Sequence, residues 1–307
     1  MSGGAVMTEA PARHLPVMAG EVVSLLGSAP GHVLVDLTVG AGGHAEAFLR
    51  ATAPTGMVIA CDRDARALAI ARERLAPFGA RARLMHGDWL ECLHALATER
   101  ASADAVLLDL GASSMQLDDP VRGFSLRHDA NLDMRMDERG GMTAADFLNR
   151  ASEADLAAAL RDEGGEPAAA RIARAIVERR GSRPLRTTGD LRTLVEAALG
   201  RKGGKIHPAT RTFQAVRRVV NREGEQLAAA LPRAFALLAP RGRLAVISFH
   251  SGEDGFVKQW MVGVAAGGGA RLLTKRAVKP TAEECRRNRR SRSARLRAIE
   301  KANGGGA

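Results

Sequence analysis

The residues best suited to chemistry in this chain are a row of aspartates and one glycine-rich turn. The apolar run VLVDLT (Val33–Thr38) leads into Gly40-Ala41-Gly42-Gly43-His44. Gly40, Gly42 and Ala45 fit the pattern G-x-G-x-x-[G/A], and Asp62 follows at the distance expected of a nicotinamide dinucleotide site. The pattern is weak alone, because a tight strand-to-helix turn without a ligand also satisfies it. Asp36, Asp62, Asp88 and Asp109 change the reading, since each closes a separate apolar run. If those runs are strands of one sheet, the carboxylates share the edge where open α/β sheets bind ligands. Such a rim repels a pyrophosphate and suits a cationic ligand bearing a ribose and an adenine. S-adenosylmethionine is one, with a sulfonium, an ammonium, ribose hydroxyls and an adenine amine against one carboxylate. Asp62 is then placed for the ribose and Asp88 for the adenine. A nicotinamide-dependent dehydrogenase is the rival, carried by the glycine pattern only.

The elements that must position these residues are legible. VLVDLT, MVIACD, RARLMHGD and AVLLDLG read as strands, separated by the helix-like HAEAFLRA, DARALAIARERLAPF and WLECLHALATER. Apolar strands alternating with helices predict a parallel, doubly wound sheet covered on both faces. From Ala112 to Arg211 only helices and loops are expected, with cap signals at Ser152/Asp155 and near Thr187. RGRLAVISFH then resumes the sheet as a fifth strand, GEDGFVKQWMVG reads as a short helix, and ARLLTK and ARLRAIEKA supply two last strands. The expected division is a sheet domain over 1–112 and 212–307, interrupted by a helical substrate-recognition insert over 113–211. VAAGGGA and the GGGA tail read as mobile.

Composition narrows the partners. Lys and Arg number 45 against 34 Asp and Glu, a formal charge of +11. Clustered positive charge of this size favours a polyanion such as nucleic acid. Cys61, Cys92 and Cys285 show neither zinc-ligand spacing nor a disulfide framework, so no metal is expected and a reducing cytoplasm fits. The N-terminal residues lack the order of a signal peptide, and no apolar run approaches the roughly 20 residues of a bilayer span.

An ordered series of blocks is more specific than any of these patterns: GAGGH, DRD (Asp62–Asp64), LLDLGASSMQLDDPVRGFS, LDMRMD, HPATRTFQAVRRVVN and ISFHSGED. From His14 to about Lys301 the chain resembles the RsmH (MraW) family, which methylates N4 of a decoding-region cytidine of bacterial 16S ribosomal RNA, cytidine-1402 in the usual numbering, with S-adenosylmethionine. The resemblance implies a class I methyltransferase fold, an α/β seven-stranded mostly parallel sheet with an inserted all-helical domain, and the small ribosomal subunit as partner; a homodimer is an open expectation. It places Gly42, Gly43 and His44 at the cofactor turn, Asp62 at the ribose, Trp89 beside the adenine where relatives carry Phe, and Asp109 and Gln116 near the methionine end and the transfer point. Gly252 stands where the family has Leu, which bears on packing after the fifth strand.

Methyl transfer from a sulfonium is an in-line displacement that needs alignment and no metal. The cytosine amine is a poor nucleophile because its lone pair is delocalised, so an acceptor bonded to an N4 hydrogen would help. After the fourth strand this chain has Asp109-Leu110-Gly111-Ala112-Ser113-Ser114, without the Pro-Pro-aromatic element common among amine methyltransferases. Asp109, a backbone carbonyl or a Ser hydroxyl could serve, with Asp109 favoured. His250 and Ser251 are either near the site or, for His250, satisfied by backbone. Arg211, Arg218 and Arg222 share a helix face opposite the apolar stripe Phe213, Val216, Val220, and Arg289 and Arg290 lie in the arginine-rich run 286–297; both sets are expected to meet RNA phosphates. Two buried methionines are expected in LDMRMD. A non-enzymatic RNA-binding assembly factor is the rival from another class, opposed by the intact Asp36, Gly42, Asp62 and Asp109.

Overall fold

The computed structural model describes residues 15–200 and 207–303; His14, the N-terminal segment before it and the GGGA tail lie outside them. Seven strands form one sheet: β1 (Val33–Asp36), β2 (Met57–Asp62), β3 (Ala82–His86), β4 (Ala103–Asp109), β5 (Leu238–Ser248), β6 (Ala270–Leu272) and β7 (Arg295–Lys301). Their order is β3-β2-β1-β4-β5-β7-β6. The first five pair in parallel, and β7 runs antiparallel to both β5 and β6.

Alternation along the strands builds two cores. Val35, Val106 and Leu108 face a cluster closed by α4 (Trp89–Thr98), α11 (Glu223–Leu237) and α12 (Ser251–Ala266). Leu34, Ala105 and Leu107 face the other cluster, closed by α1 (Ala19–Leu26), α2 (Gly43–Ala51) and α3 (Ala65–Leu75). Side chains two residues apart therefore share a face, and both faces are dry, as a central parallel sheet requires.

Between β4 and β5 the chain leaves the sheet through α5 (Ser114–Asp118), α6 (Ala144–Arg150), α7 (Glu153–Asp162), α8 (Ala169–Ser182), α9 (Thr188–Leu199) and α10 (Thr210–Val220). These helices bury a third cluster, including Leu148, Leu156, Ile172, Ile176 and Leu191. Thr143, Ser152 and Thr187 cap α6, α7 and α9, each side chain accepting from a backbone N–H three residues on. Phe213 and Val216 of α10 also lie in this cluster, so the helical core continues past residue 211. Asn221 then ends α10 and Arg222 adopts φ 49°, which turns the chain into α11.

Met134 and Met136 of LDMRMD are buried in the same cluster. That loop fastens the helices to the sheet. Asn221 receives Met136 N–H at 2.8 Å and donates to Met134 O at 2.7 Å, while Arg63 donates to Asn221 O at 3.0 Å. The VAAGGGA stretch is not a mobile linker. Its first half is the last turn of α12, and its glycines make the tight turn into β6. Lastly, α13 (Ala282–Arg287) and a 3-10 turn, Arg289–Ser293, lead into β7.

Candidate active site

A cavity of about 600 Å³ lies over the C-terminal ends of β1, β2 and β4, between the sheet rim and the helical insert. Pro16 and Val17 close one side, Gly164, Gln214 and Arg217 of the insert another, and Asn288 and Ser293 a third. The closing segments are tied together: Met18 N–H donates to Glu284 Oε1 at 2.6 Å, and Asn288 Nδ2 to Leu15 O at 3.3 Å.

The glycine turn wraps the rim. Gly40 and Gly42 have φ of 52° and 80°, conformations costly for other residues. Gly40 and Gly43 line the cavity. Gly42 instead backs onto α3, where an added Cβ would stand 3.4 Å from Ala71 Cα, so its part is conformational. Gly43 has no such latitude on the other side, since its Cβ would meet Pro16 at 3.0 Å.

Three of the four aspartates converge. Asp62 accepts from Gly40 N–H at 2.9 Å and from Asp64 N–H at 2.9 Å. Burial raises its carboxyl above the ordinary range despite those bonds. Asp36 is buried beneath the turn. Burial pushes it up to about 7, the neighbouring Asp109 and Asp62 charges adding to the effect and His44 and Thr38 N–H opposing it. Thr38 knits the floor together: its Oγ1 accepts from Asp109 N–H at 2.6 Å and lies 3.4 Å from Asp36 Oδ1. His44, on the first turn of α2, sets its Nε2 3.5 Å from Asp109 Oδ2. Asp36 Oδ2, both His44 ring nitrogens and Asp109 Oδ1 are buried without a hydrogen-bond partner. Unpaired buried polar atoms are costly; His44 and Asp109 line the cavity, so theirs mark where a polar ligand group belongs, whereas Asp36 lies beneath the lining rather than in it.

Asp88 does not join them. Its Oδ1 caps α4 by accepting Glu91 N–H at 2.8 Å, and its Oδ2 accepts from Gln226 Nε2 at 2.8 Å. Trp89, the next residue, lines the cavity, with the Arg63 guanidinium 5.8 Å from its ring centroid. Gln116 reaches the cavity wall but is committed on both sides: Oε1 accepts Ser113 N–H at 2.9 Å and Nε2 donates to Asp64 Oδ2 at 2.8 Å. Asp64 is further paired with the buried Arg122.

The arginines divide. Arg218 is not an outward phosphate contact. It donates to Glu163 O, pairs with Glu163 Oε2 at 3.0 Å and has a side chain only 14% exposed. Arg297 is likewise buried, clamped on Asp254 by bonds of 2.6 and 3.1 Å. Arg211, Arg222, Arg289 and Arg290 are exposed, Arg222 pairing with the equally exposed Glu225. His250 and Ser251 both line the cavity, and His250 is also a backbone cap: Nδ1 accepts Gly252 and Glu253 N–H, while Nε2 lies 2.8 Å from Glu253 Oε1. Burial raises the Glu253 carboxyl, but His250, Phe249 N–H and Arg217 outweigh it and hold the group below its usual range.

A profile of the MraW methylase family matches residues 11–302. The chain belongs to the MraW methylase family. Curated relatives of this MraW methylase include ribosomal RNA small subunit methyltransferase H of Syntrophotalea carbinolica, 46% identical over 96% of this chain and 100% of that one. The protein of the same name from Syntrophobacter fumaroxidans is 45% identical over 94% and 96%. Among solved structures, NSun6 from Pyrococcus horikoshii aligns with TM-score 0.46 and 13% identity over 94% of this chain and 53% of that one. A SAM-dependent O-methyltransferase from Thermotoga maritima aligns with TM-score 0.43 and 11% identity over 96% and 69%.

The cofactor of the MraW methylase is S-adenosylmethionine, and the floor fits it. The orphaned carboxylate oxygen of Asp109 is an acceptor suited to a cationic ligand, and the Gly40–Gly43 turn is built for close approach. Sequence reasoning missed Thr38, Arg63, Arg217 and Glu253. Only Glu253 had a local signal, the helical i, i+3 spacing from His250.

Proposed function

We propose that this MraW methylase transfers a methyl group from S-adenosylmethionine to the exocyclic N4 of a decoding-region cytidine in small-subunit ribosomal RNA. The observation that carries this reading is the set of buried, partnerless atoms on His44 and Asp109, lining the cavity beside the glycine turn. The names of the curated relatives supply the RNA, and the sequence resemblance supplies the base and atom.

When bound, S-adenosylmethionine supplies an electrophilic methyl group on a positively charged sulfur. The residues of the chain then have distinct tasks. Asp62 accepts ribose hydroxyls with the lone pairs left free by Gly40 and Asp64 N–H. Trp89 walls the adenine. His44 and Asp109 hold the methionine end, with Asp36 beneath them. Asp109, fixed by the Thr38 bond to its N–H, accepts from the substrate amine, which directs the nitrogen lone pair and favours the developing positive charge. The helical insert, read here as the substrate-recognition unit, closes the cavity with Gly164 and Arg217 and excludes water. Arg211, Arg222, Arg289 and Arg290 meet phosphates of the RNA.

The test is methyl transfer from radiolabelled S-adenosylmethionine to small ribosomal subunits lacking the modification, followed by nucleoside analysis. Label in N4-methylcytidine supports the proposal. Label in another nucleoside, or none, refutes it.

A further inference from the structure

A short strap of chain borders the donor end of the cavity. Leu15, Pro16 and Val17 line it, and the Pro16 ring lies against the glycine turn, 3.0 Å from where a Cβ on Gly43 would stand. Gly43 lines the same cavity, so a donor seated on the turn has the strap beside it. Val17 and Met18 root the strap in the core, whereas Leu15 is 61% exposed. Met18 takes φ 54°, a conformation uncommon for a residue with a side chain, and thereby turns its N–H away from α1. That N–H donates to Glu284 Oε1 at 2.6 Å, and Leu15 O accepts from Asn288 Nδ2 at 3.3 Å.

Both fasteners come from one small element. Glu284 and Asn288 are four residues apart and so lie on one side of α13 and its end. With six residues, α13 is too short to be stable alone. Thr281 Oγ1 caps it by accepting Glu284 N–H at 3.1 Å, and the buried Ser291 donates to Asn288 O at 2.8 Å. The same element is cationic towards solvent. Arg286, Arg289 and Arg292 are exposed, and the exposed Lys275, Arg276 and Lys279 lead into it. The residues that fasten the strap are therefore interleaved with residues suited to phosphates.

We propose that Leu15–Met18 is a strap that closes the donor end of the cavity, that Glu284 and Asn288 latch it, and that RNA on the neighbouring arginines tightens the latch, so that donor release slows while RNA is engaged. Phosphates on Arg286, Arg289 and Arg292 fix an element that is marginal by itself. Once it is fixed, holding the strap costs less conformational entropy. The coupling is reciprocal, so a strap closed over the donor also favours RNA. A donor taken up first is then retained until transfer. The inference rests on the function proposed above, since it needs RNA as the partner of these arginines.

The test follows release of radiolabelled S-adenosylhomocysteine, the donor without its methyl group, from the full chain after an unlabelled chase. This probe allows no turnover, so release is read with and without small ribosomal subunits. Subunits are expected to slow release from the wild-type protein by at least about fivefold. Glu284→Ala releases the probe about tenfold faster, the loss of one hydrogen bond to a charged acceptor, and subunits no longer slow it. Glu284→Gln keeps an oxygen for Met18 N–H and restores both. Removing an acid from among arginines strengthens RNA contact, so lost slowing in Glu284→Ala is not weakened binding; filter retention of the subunits reads this in parallel. Release at the wild-type rate in Glu284→Ala overturns the strap. Slowing that persists in full in that variant overturns the coupling, and equal release from the Ala and Gln variants overturns the hydrogen-bonded latch. Failure of the wild-type protein to retain small subunits instead overturns the underlying function and is read separately.

Discussion

The sheet rim and the LDMRMD junction treat buried polar groups in opposite ways. At the rim, Asp36 Oδ2, His44 and Asp109 Oδ1 are enclosed without partners. At the junction, Asp64 is bonded to Gln116 and paired with Arg122, whose guanidinium also donates to Arg135 O at 2.7 Å and Met136 O at 3.0 Å. Asn221 closes the same joint with bonds on both its amide atoms. The junction is a finished structure that holds two cores together. The rim is finished only by a ligand. At the junction burial and satisfaction go together; at the rim they part.

Substitutions at the two places should therefore separate stability from activity. Arg122→Ala leaves a buried carboxylate and two carbonyls without their partner. It is expected to cost about 3–5 kcal/mol of folding stability, read from denaturant unfolding. An unchanged midpoint would mean that the junction is not what joins the insert to the sheet. Asp109→Ala should do the reverse. It removes a carboxyl with an unpaired oxygen, so the melting temperature should hold or rise, while single-turnover transfer falls on the order of 10²–10³-fold. Transfer at the wild-type rate would remove Asp109 from the mechanism.

The arginines sharpen the same contrast at smaller amplitude. Replacing the exposed Arg211 or Arg289 by Ala should leave stability unchanged and reduce the slope of log affinity for RNA against log salt by about 1 each. Arg297→Ala should instead destabilise the fold, because Asp254 loses its clamp. Equal effects from the exposed and buried positions would erase the distinction.

The smallest effect is a pH dependence. Asp36 titrates near 7 in the folded protein against 3.8 as its ordinary value. The native state therefore keeps a proton that the unfolded chain releases, and the stability from this group declines as pH rises from about 4 to about 7. A cationic donor favours the ionised form, so donor affinity should climb over pH 6–8 and then level off. Asp36→Asn should flatten that profile. A profile identical to wild type would show that Asp36 does not sense the donor.

These contrasts also explain what was legible in the sequence. The strands, the Ser152 and Thr187 caps and the buried Met134 and Met136 follow from local pattern, and the glycine turn from its own chemistry. The carboxylate row was three-quarters visible: Asp36, Asp62 and Asp109 meet, whereas Asp88 faces α4, because an Asp before a helix serves equally as its cap. Arg218 and Arg297 looked like phosphate ligands because their partners, Glu163 and Asp254, lie 55 and 43 residues away. No window along the chain contains such a pair. The strap and its latch were invisible for the same reason, since Met18 and Glu284 meet only in the fold.

The central claim is that the acid rim turns S-adenosylmethionine on a cytidine amine of small-subunit RNA. Nucleoside mapping of that RNA, from cells with and without this protein, tests it most directly. The account predicts N4-methylcytidine at a decoding-region cytidine only when the protein is present. The same modification in both RNAs, or a methyl group on a different atom, would contradict it.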